Sequence, residues 1–496
     1  MKGLYWFHDI VSLCFIFLQM NVCAVQSTLE LKVVQLVHRH GARSPIVSYN
    51  QSTICGNVPC GHLNPAGLSM LINAGKFLRA HYTEGPYGSF FPSESYNLSV
   101  SYTESTDVLR TIQSAEALLS GLFPNKTLFF PAVHTASDEA SVLSRGFSAP
   151  YTRAFLKLDT EWWRRVCNPR ADTILGYKTL LSISREVFSE GFCANPLKIC
   201  ECAQGLYDIG AAMNASGRIV DYPLLQKYLK QLREVEVFVT RMWFRYNASD
   251  KTHVNMGSLG QDLAQQILSN AKSYMSGSSS FKLYHYSGHD TTIAPLASTL
   301  GDFAPTALSP PFGQLYAFEL LHNPDTDEYS MRVRRGAPGQ APESNYLFSW
   351  DNYRLKCMEK SNKVYYAADN TCPFSDFERF VNSTKPRSPA GLCYLSGRHR
   401  KLFDCPGSMR KPSNKDCKML RRACPASACD LGFTLNIVTL ECVCSSNECL
   451  GTHTTASLVA ISLVACCIGA LIVLCGIRLF ELWKRRRYQS ATTSNI

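Results

Sequence analysis

The chain has 496 residues, is 46% hydrophobic and 18% charged, and carries a formal net charge of +11 with 21 cysteines. That is enough chain for a large core and one to three domains. The charge does not mark a nucleic-acid binder. The stretch from Lys385 to Arg422 holds a net +9 and the end from Gly476 a net +4, which leaves the main body near neutral at −2.

In chain order, a lone Lys2, an apolar block from Ile10 to Leu18 and small residues around Val22-Cys23-Ala24 read as a signal peptide over residues 1–24. Leu31 to Val37 is a short β-branched apolar run, as a buried parallel strand would be. It runs into Val37-His38-Arg39-His40-Gly41-Ala42-Arg43-Ser44-Pro45. Two guanidiniums flanking an imidazole suit an oxyanion with several negative oxygens. Arg binds phosphate through planar, permanently charged donors, and a histidine between two of them can take phosphorus covalently.

Leu63 to Tyr82 has helical spacing, and Leu98 to Tyr102 alternates like a strand. Ser105 is the expected N-cap of a helix that carries Val108, Ile112, Ala115, Leu118 and Leu119. A further strand is expected over Leu128 to Val133. Residues 151–246 read as an inserted helical subdomain. A helix over Leu259 to Met275 follows, then a strand over Phe281 to Tyr286 that ends in Ser287-Gly288-His289-Asp290. Leu315 to Leu321 and Tyr329 to Val333 form a hairpin around Asn323-Pro324-Asp325.

This alternation predicts an α/β fold, with a mostly parallel central sheet flanked by helices and a helical insert. Ligands in such folds sit beyond the carboxyl ends of strands. Arg39-His40 and His289-Asp290 therefore meet at one crevice. Beyond the folded body, expected over residues 25–384, residues 385–455 form a basic, Cys-rich juxtamembrane segment whose charge reads as a solvated face. Residues 456–478 form one C-terminal transmembrane helix. The basic cluster Lys484 to Arg487 keeps the tail, residues 479–496, in the cytoplasm, so the ectodomain is luminal or extracellular. A cleaved lipid-anchor signal would end in its hydrophobic stretch, and this chain does not.

Sixteen cysteines lie outside signal and span, an even number suited to disulfides in an oxidising compartment, with a pairing that spacing does not reveal. Their irregular spacing does not suit zinc. The sequons at Asn50, Asn97, Asn125, Asn214, Asn247 and Asn382 all fall on the exported side and are glycosylation candidates.

The segment Arg39-His40-Gly41-Ala42-Arg43-Ser44-Pro45 resembles the RHGxRxP signature of the histidine acid phosphatases, and His289-Asp290 resembles that family's distal HD pair. Asp107-Val108-Leu109-Arg110-Thr111, with Gly121-Leu122-Phe123-Pro124 after it, is similar to the segment that supplies the family's third phosphate-binding arginine. The resemblance runs from about Leu29 to Phe380 and extends to the membrane-bound, lysosomal-type members. The Cys-rich segment departs from their pattern.

The resemblance implies an acid phosphatase acting on phosphate monoesters. His40 would be the nucleophile and Asp290 the proton donor, with Arg39, Arg43, Arg110 and His289 on the phosphate. No metal or other cofactor is called for, because the arginines supply the charge a magnesium ion gives elsewhere. It also implies a phosphomonoester as partner, no nucleic acid, a homodimer as the family's common assembly, and residence in lysosome, endosome or cell surface. Phytase-like and mutase-like members of the wider fold fit less well, since Arg43-Ser44-Pro45 and Asp290-Thr291 follow the acid phosphatase pattern. The reading from another class is a catalytically retired scaffold serving as a cell-surface receptor or binding protein; this chain keeps all six residues that catalysis requires.

Overall fold

The structure, a computed structural model, describes residues 29–47, 51–83, 90–125, 131–138, 140–188, 193–407, 411–445 and 447–492. The expected signal peptide, the Asn50 sequon and residues 128–130 of the expected strand lie outside them. The chain divides into two compact units at Ser396/Gly397.

The first unit is built on an eight-stranded sheet. Its strands are β1 (Glu30–Arg39), β2 (Ser101–Thr106), β3 (His134–Ala136), β4 (Leu283–Gly288), β5 (Leu315–Asn323), β6 (Glu328–Pro338), β7 (Phe348–Trp350) and β8 (Thr371–Pro373). The order is β8-β6-β5-β1-β4-β2-β3, with β7 on β6. Strand β1 is the seam. It pairs parallel with β4 and antiparallel with β5. The sheet is thus mixed rather than mostly parallel. The hairpin of β5 and β6 supplies an antiparallel half, while β1, β4, β2 and β3 form the parallel half. A hairpin signal reports its own turn and not the strand its first arm pairs with.

Both faces of β1 are covered. Val33 and Val37 enter one hydrophobic core, and Val34 and Leu36 enter another on the opposite face. That two-sided burial is why Val33, Val34, Leu36 and Val37 are all apolar instead of alternating with polar residues. Helices α1 (Pro65–Thr83) and α2 (Leu109–Leu122) lie on the second face. They approach backbone to backbone: a Cβ on Gly75 would stand 2.1 Å from the Leu118 carbonyl oxygen, and one on Gly121 would stand 2.2 Å from that of Ile72.

Ser105 does not cap α2. It is the buried penultimate residue of β2, its Oγ donating to the Thr106 carbonyl, and the cap position falls to Val108. The strand runs four residues past its expected end at Tyr102, because its buried end is Ser105 and Thr106, which look like turn residues in sequence. Residues 131–133 are not strand; β3 begins at His134.

The insert is helical and has its own core, with Leu180, Ile183, Leu206, Leu232 and Val235 among its members. Its two principal helices are α3 (Ile199–Ala215) and α4 (Pro223–Phe244), and disulfides Cys167–Cys200 and Cys193–Cys202 staple it. Helices α5 (Gln261–Met275) and α6 (Asp290–Thr299) flank β4 in sequence. Cys55–Cys60 and Cys357–Cys372 are also paired.

The second unit is a small disulfide-stapled knob. Cys405–Cys417 and Cys429–Cys442 bridge it, and Cys424 and Cys444 are also disulfide-bonded. Arg421 is buried within it, its guanidinium donating to the Leu440 and Pro406 carbonyls at 2.7 and 3.3 Å. A hairpin of β9 (Phe433–Asn436) and β10 (Glu441–Cys444) leads to a long helix, α7 (Asn447–Thr492). Among the described residues one stretch is long and apolar enough to cross a membrane, Ser462–Arg486, with a mean hydropathy of 2.5.

Candidate active site

Strand register brings the two sequence motifs together. Arg39 pairs with Gly288 at the ends of β1 and β4, so the next residues, His40 and His289, leave the sheet side by side. The His40 N–H donates to the Gly288 carbonyl at 2.9 Å, and the two imidazoles meet edge to face with centroids 5.4 Å apart. Strand β2 ends beside β4, with Ser105 opposite Ser287, and leads into α2, whose first turn carries Arg110. Helices α2 and α6 thus both begin at this end of the parallel strands. Their positive dipole ends favour an anion there.

The structure gathers Arg39, His40, Arg43, Arg110, His289 and Asp290 at one place. His40 is buried, and its Nδ1 lies 2.8 Å from the Gly41 carbonyl oxygen. An oxygen of that kind only accepts, so Nδ1 carries the proton and Nε2 keeps its lone pair. Burial, and then the nearby positive charges of Arg39, His289, Arg43 and Arg110, hold the His40 pKa well below the ordinary value. The ring stays neutral in mild acid, where an exposed histidine would be protonated.

The guanidiniums are held from behind. Arg39 donates to the Pro310 carbonyl at 2.5 Å and pairs with Asp290 at 2.7 Å, while its plane lies over the Phe312 ring at 4.4 Å. Arg43 is gripped by both oxygens of Asp208, at 2.6 and 3.2 Å. Arg110 donates to His289 Nδ1 at 3.3 Å, so the His289 proton sits on Nε2, which faces Thr106 Oγ1 at 3.0 Å. Burial first, then Arg110, pushes His289 down to about 4. Arg110 itself is lowered to about 10, by burial and by Arg43. The Nε atoms of Arg39, Arg43 and Arg110 are all buried with no hydrogen-bond partner. Three desolvated cationic donors at the mouth of two helices fit a multivalent oxyanion.

Desolvation alone would raise the Asp290 pKa. The charges of Arg39, His289 and Arg43 outweigh it and hold the carboxyl below its ordinary value. Asp290 is the first residue of α6, and its Oδ1 accepts from the Thr291 N–H at 2.8 Å. The cap of that helix is made by Thr292, whose hydroxyl accepts from the His289 N–H at 3.1 Å.

Gly41 is needed for packing. A Cβ there would stand 2.3 Å from the Gly67 carbonyl oxygen on α1. Its N–H donates to Ser114 Oγ on α2 at 3.1 Å, which ties the motif to that helix. His38 lies outside the site, buried with its Nε2 2.9 Å from that of His285. Asp208, Thr106 and Phe312, which no sequence motif marks, complete the surroundings with Ser114. Of the remaining candidates, Asn97 is exposed, and Asn125, Asn214, Asn247 and Asn382 are partly so. The side-chain amide of Asn214 donates to the Gln340 carbonyl, and that of Asn382 donates to Glu378.

A mixed sheet carries a helical insert and, at its parallel strand ends, a histidine–arginine cluster whose charge suits a phosphoryl group. The pattern of the histidine phosphatase superfamily, branch 2, matches residues 30–175. That match, with acid phosphatases among the relatives, supports a phosphatase of this superfamily.

Among its relatives, lysosomal acid phosphatase of Xenopus laevis is 27% identical over 63% of this chain and 71% of its own length. The Bos taurus lysosomal acid phosphatase is 26% identical over 74% of this chain and 81% of its own. Human lysophosphatidic acid phosphatase type 6 is 23% identical over 66% and 85%. Among solved structures, the phytase from Citrobacter braakii superposes with a TM-score of 0.53 at 16% identity, over 74% of this chain and 100% of that one, a likeness of fold.

Proposed function

We propose that this chain is a membrane-anchored acid phosphatase that hydrolyses phosphate monoesters through a phosphohistidine on His40. The observation that carries the reading is the His40 tautomer, with Nδ1–H tied to the Gly41 carbonyl and Nε2 unprotonated among three guanidiniums whose buried Nε atoms have no partner. The Nε2 lone pair attacks phosphorus and forms an N–P bond while the ester P–O bond breaks. Arg39, Arg43 and Arg110 neutralise the three non-bridging oxygens, and His289, neutral in the free site, joins them once the bound phosphate favours its protonation; that positioning and charge are most of what phosphoryl transfer needs.

Asp290 gives its proton to the departing oxygen. In the free site it is ionised and paired to Arg39. A bound phosphate draws that guanidinium to itself and sets negative charge beside the carboxylate, and both changes favour protonation. Asp290 therefore takes up its proton as substrate binds, at acid pH. Water then cleaves the N–P bond, Asp290 accepts its proton, and phosphate leaves.

The apolar helix supports a membrane anchor, and the basic run Lys484 to Arg487 after it supports a cytoplasmic tail with the catalytic unit luminal or extracellular. The lysosomal acid phosphatase relatives support a lysosomal residence.

The test uses the full chain in detergent with an aryl phosphate from about pH 4 to 8. Hydrolysis is expected below neutrality and none in His40→Ala. Rapid quenching should trap acid-labile phosphate on the wild-type protein. An inert wild type, or an active His40→Ala, overturns the reading.

A further inference from the structure

Asp290 gives its proton to the leaving-group oxygen, so the leaving group lies where Asp290 is exposed. A cavity of about 190 Å³ opens there. At roughly 30 Å³ per water it has room for a leaving group about the size of a substituted phenol. Tyr207, Trp243, Phe244 and Phe312 line its walls, and its charged residues are Arg39, Asp208, Glu236 and Asp290. Two of the three carboxylates are already spoken for, Asp290 by Arg39 and Asp208 by Arg43. Glu236, on α4, has only neutral donors: the Gln204 amide at 2.7 Å and the Thr240 hydroxyl at 3.2 Å.

We propose that the preferred substrates are phosphate monoesters whose leaving group carries a positive charge on an aromatic or apolar body, and that Glu236 selects them. This rests on the phosphatase reading above. A carboxylate that must ionise near two others gains most from a cation placed beside it. Burial, and then Asp290 and Asp208, raise its pKa, while Gln204 and Thr240 lower it, and the net shift is upward. An ammonium in the cavity relieves that repulsion, and the aromatic faces attract the same charge. A polyanionic leaving group such as an inositol polyphosphate would instead meet three carboxyls, one of which, Glu236, no guanidinium offsets. The phytase-like fold therefore does not carry phytase selectivity here.

The test compares O-phosphotyramine with 4-propylphenyl phosphate, which differ by an ammonium in place of a methyl group, on the full chain in detergent at about pH 6. We expect kcat/KM to favour the ammonium ester by about tenfold, the scale of one charge-assisted contact. Glu236→Gln should bring the ratio close to one. A wild-type ratio at or below one, or an undiminished ratio in a folded E236Q, overturns the proposal. The wild-type ratio decides by itself if the variant does not fold.

If neither ester is hydrolysed, the phosphatase reading fails. The dissociation constants of the matching benzylphosphonates, measured by calorimetry, then decide the inference separately: tighter binding of the aminoethyl analogue supports it, and equal or weaker binding overturns it.

Discussion

Arg43 is aimed by a partner that does not touch the reacting atoms. Arg43 depends on Asp208, which approaches from α3 and holds the guanidinium at two points. Replacing Asp208 by Asn removes the charge and one acceptor of that grip. Asp208→Asn should raise KM for an aryl phosphate and Ki for inorganic phosphate together by about tenfold, with a smaller change in kcat, because a bidentate pair supplies geometry as well as energy. Steady-state kinetics with phosphate as competitor checks this; a fall in both constants would show that Asp208 only competes with substrate for Arg43.

The cluster itself was legible because its parts are short, local strings at strand ends: Arg39 to Arg43, Arg110 behind Asp107, and His289-Asp290. Asp208 was not. It is one acidic residue on an amphipathic helix more than a hundred positions from the motif it serves, and nothing local separates it from a solvated surface residue. Thr106 stayed hidden for the same reason. Its hydroxyl matters only because β2 brings it to His289.

Among the elements, α1 and β1 explain the most. The site loop after β1 lies on α1 with no room for a side chain between them, and the contact is symmetrical in effect. A Cβ on Gly67 would stand 2.1 Å from the Ala42 carbonyl oxygen, just as one on Gly41 would meet Gly67. In both cases the obstacle is backbone, which cannot swing aside. Gly67→Ala, which adds nothing to the phosphate site directly, should therefore cost about 3 kcal/mol of stability and lower activity much as Gly41→Ala does, the scale of an overpacked core position. The double variant should lose less than the two single losses together, because one displacement serves both. Urea unfolding of the four proteins measures this, and additive losses would show two independent sites of strain.

Sequence pattern found these elements and set their ends less well. The helix expected over Leu63 to Tyr82 is Pro65–Thr83, and the strand expected over Phe281 to Tyr286 is Leu283–Gly288. The ends moved where polar residues such as Ser287 are buried by hydrogen bonding, Ser287 Oγ donating to the Thr111 carbonyl at 2.7 Å. An apolar period cannot register a residue of that kind.

Over the whole molecule, four histidines of lowered pKa bear on how stability responds to pH. His38, His40, His285 and His289 all have pKa values held below the ordinary one, burial being the largest cause for each. The unfolded chain binds protons at these positions below about pH 6.5, and the folded chain does not until far lower pH. Stability is then full above that value and is lost as pH falls, since the unfolded state binds the extra protons. His38 alone, lowered to about 4, accounts for about 3 kcal/mol once pH has fallen through both values. The raised Glu236 and Asp351 carboxyls act in the opposite sense.

An enzyme that works in acid is thus built around groups that weaken it there, and a bound phosphate should offset this by stabilising the folded form. Ligand-free protein should melt lower at about pH 4.5 than at pH 7, with inorganic phosphate recovering part of the loss. His38→Gln, which removes one of the four, should flatten the dependence. A melting temperature that holds or rises as pH falls through 6.5 would mean that these histidines are charged in the folded state, and with that the neutral His40 on which the nucleophile depends would be lost as well.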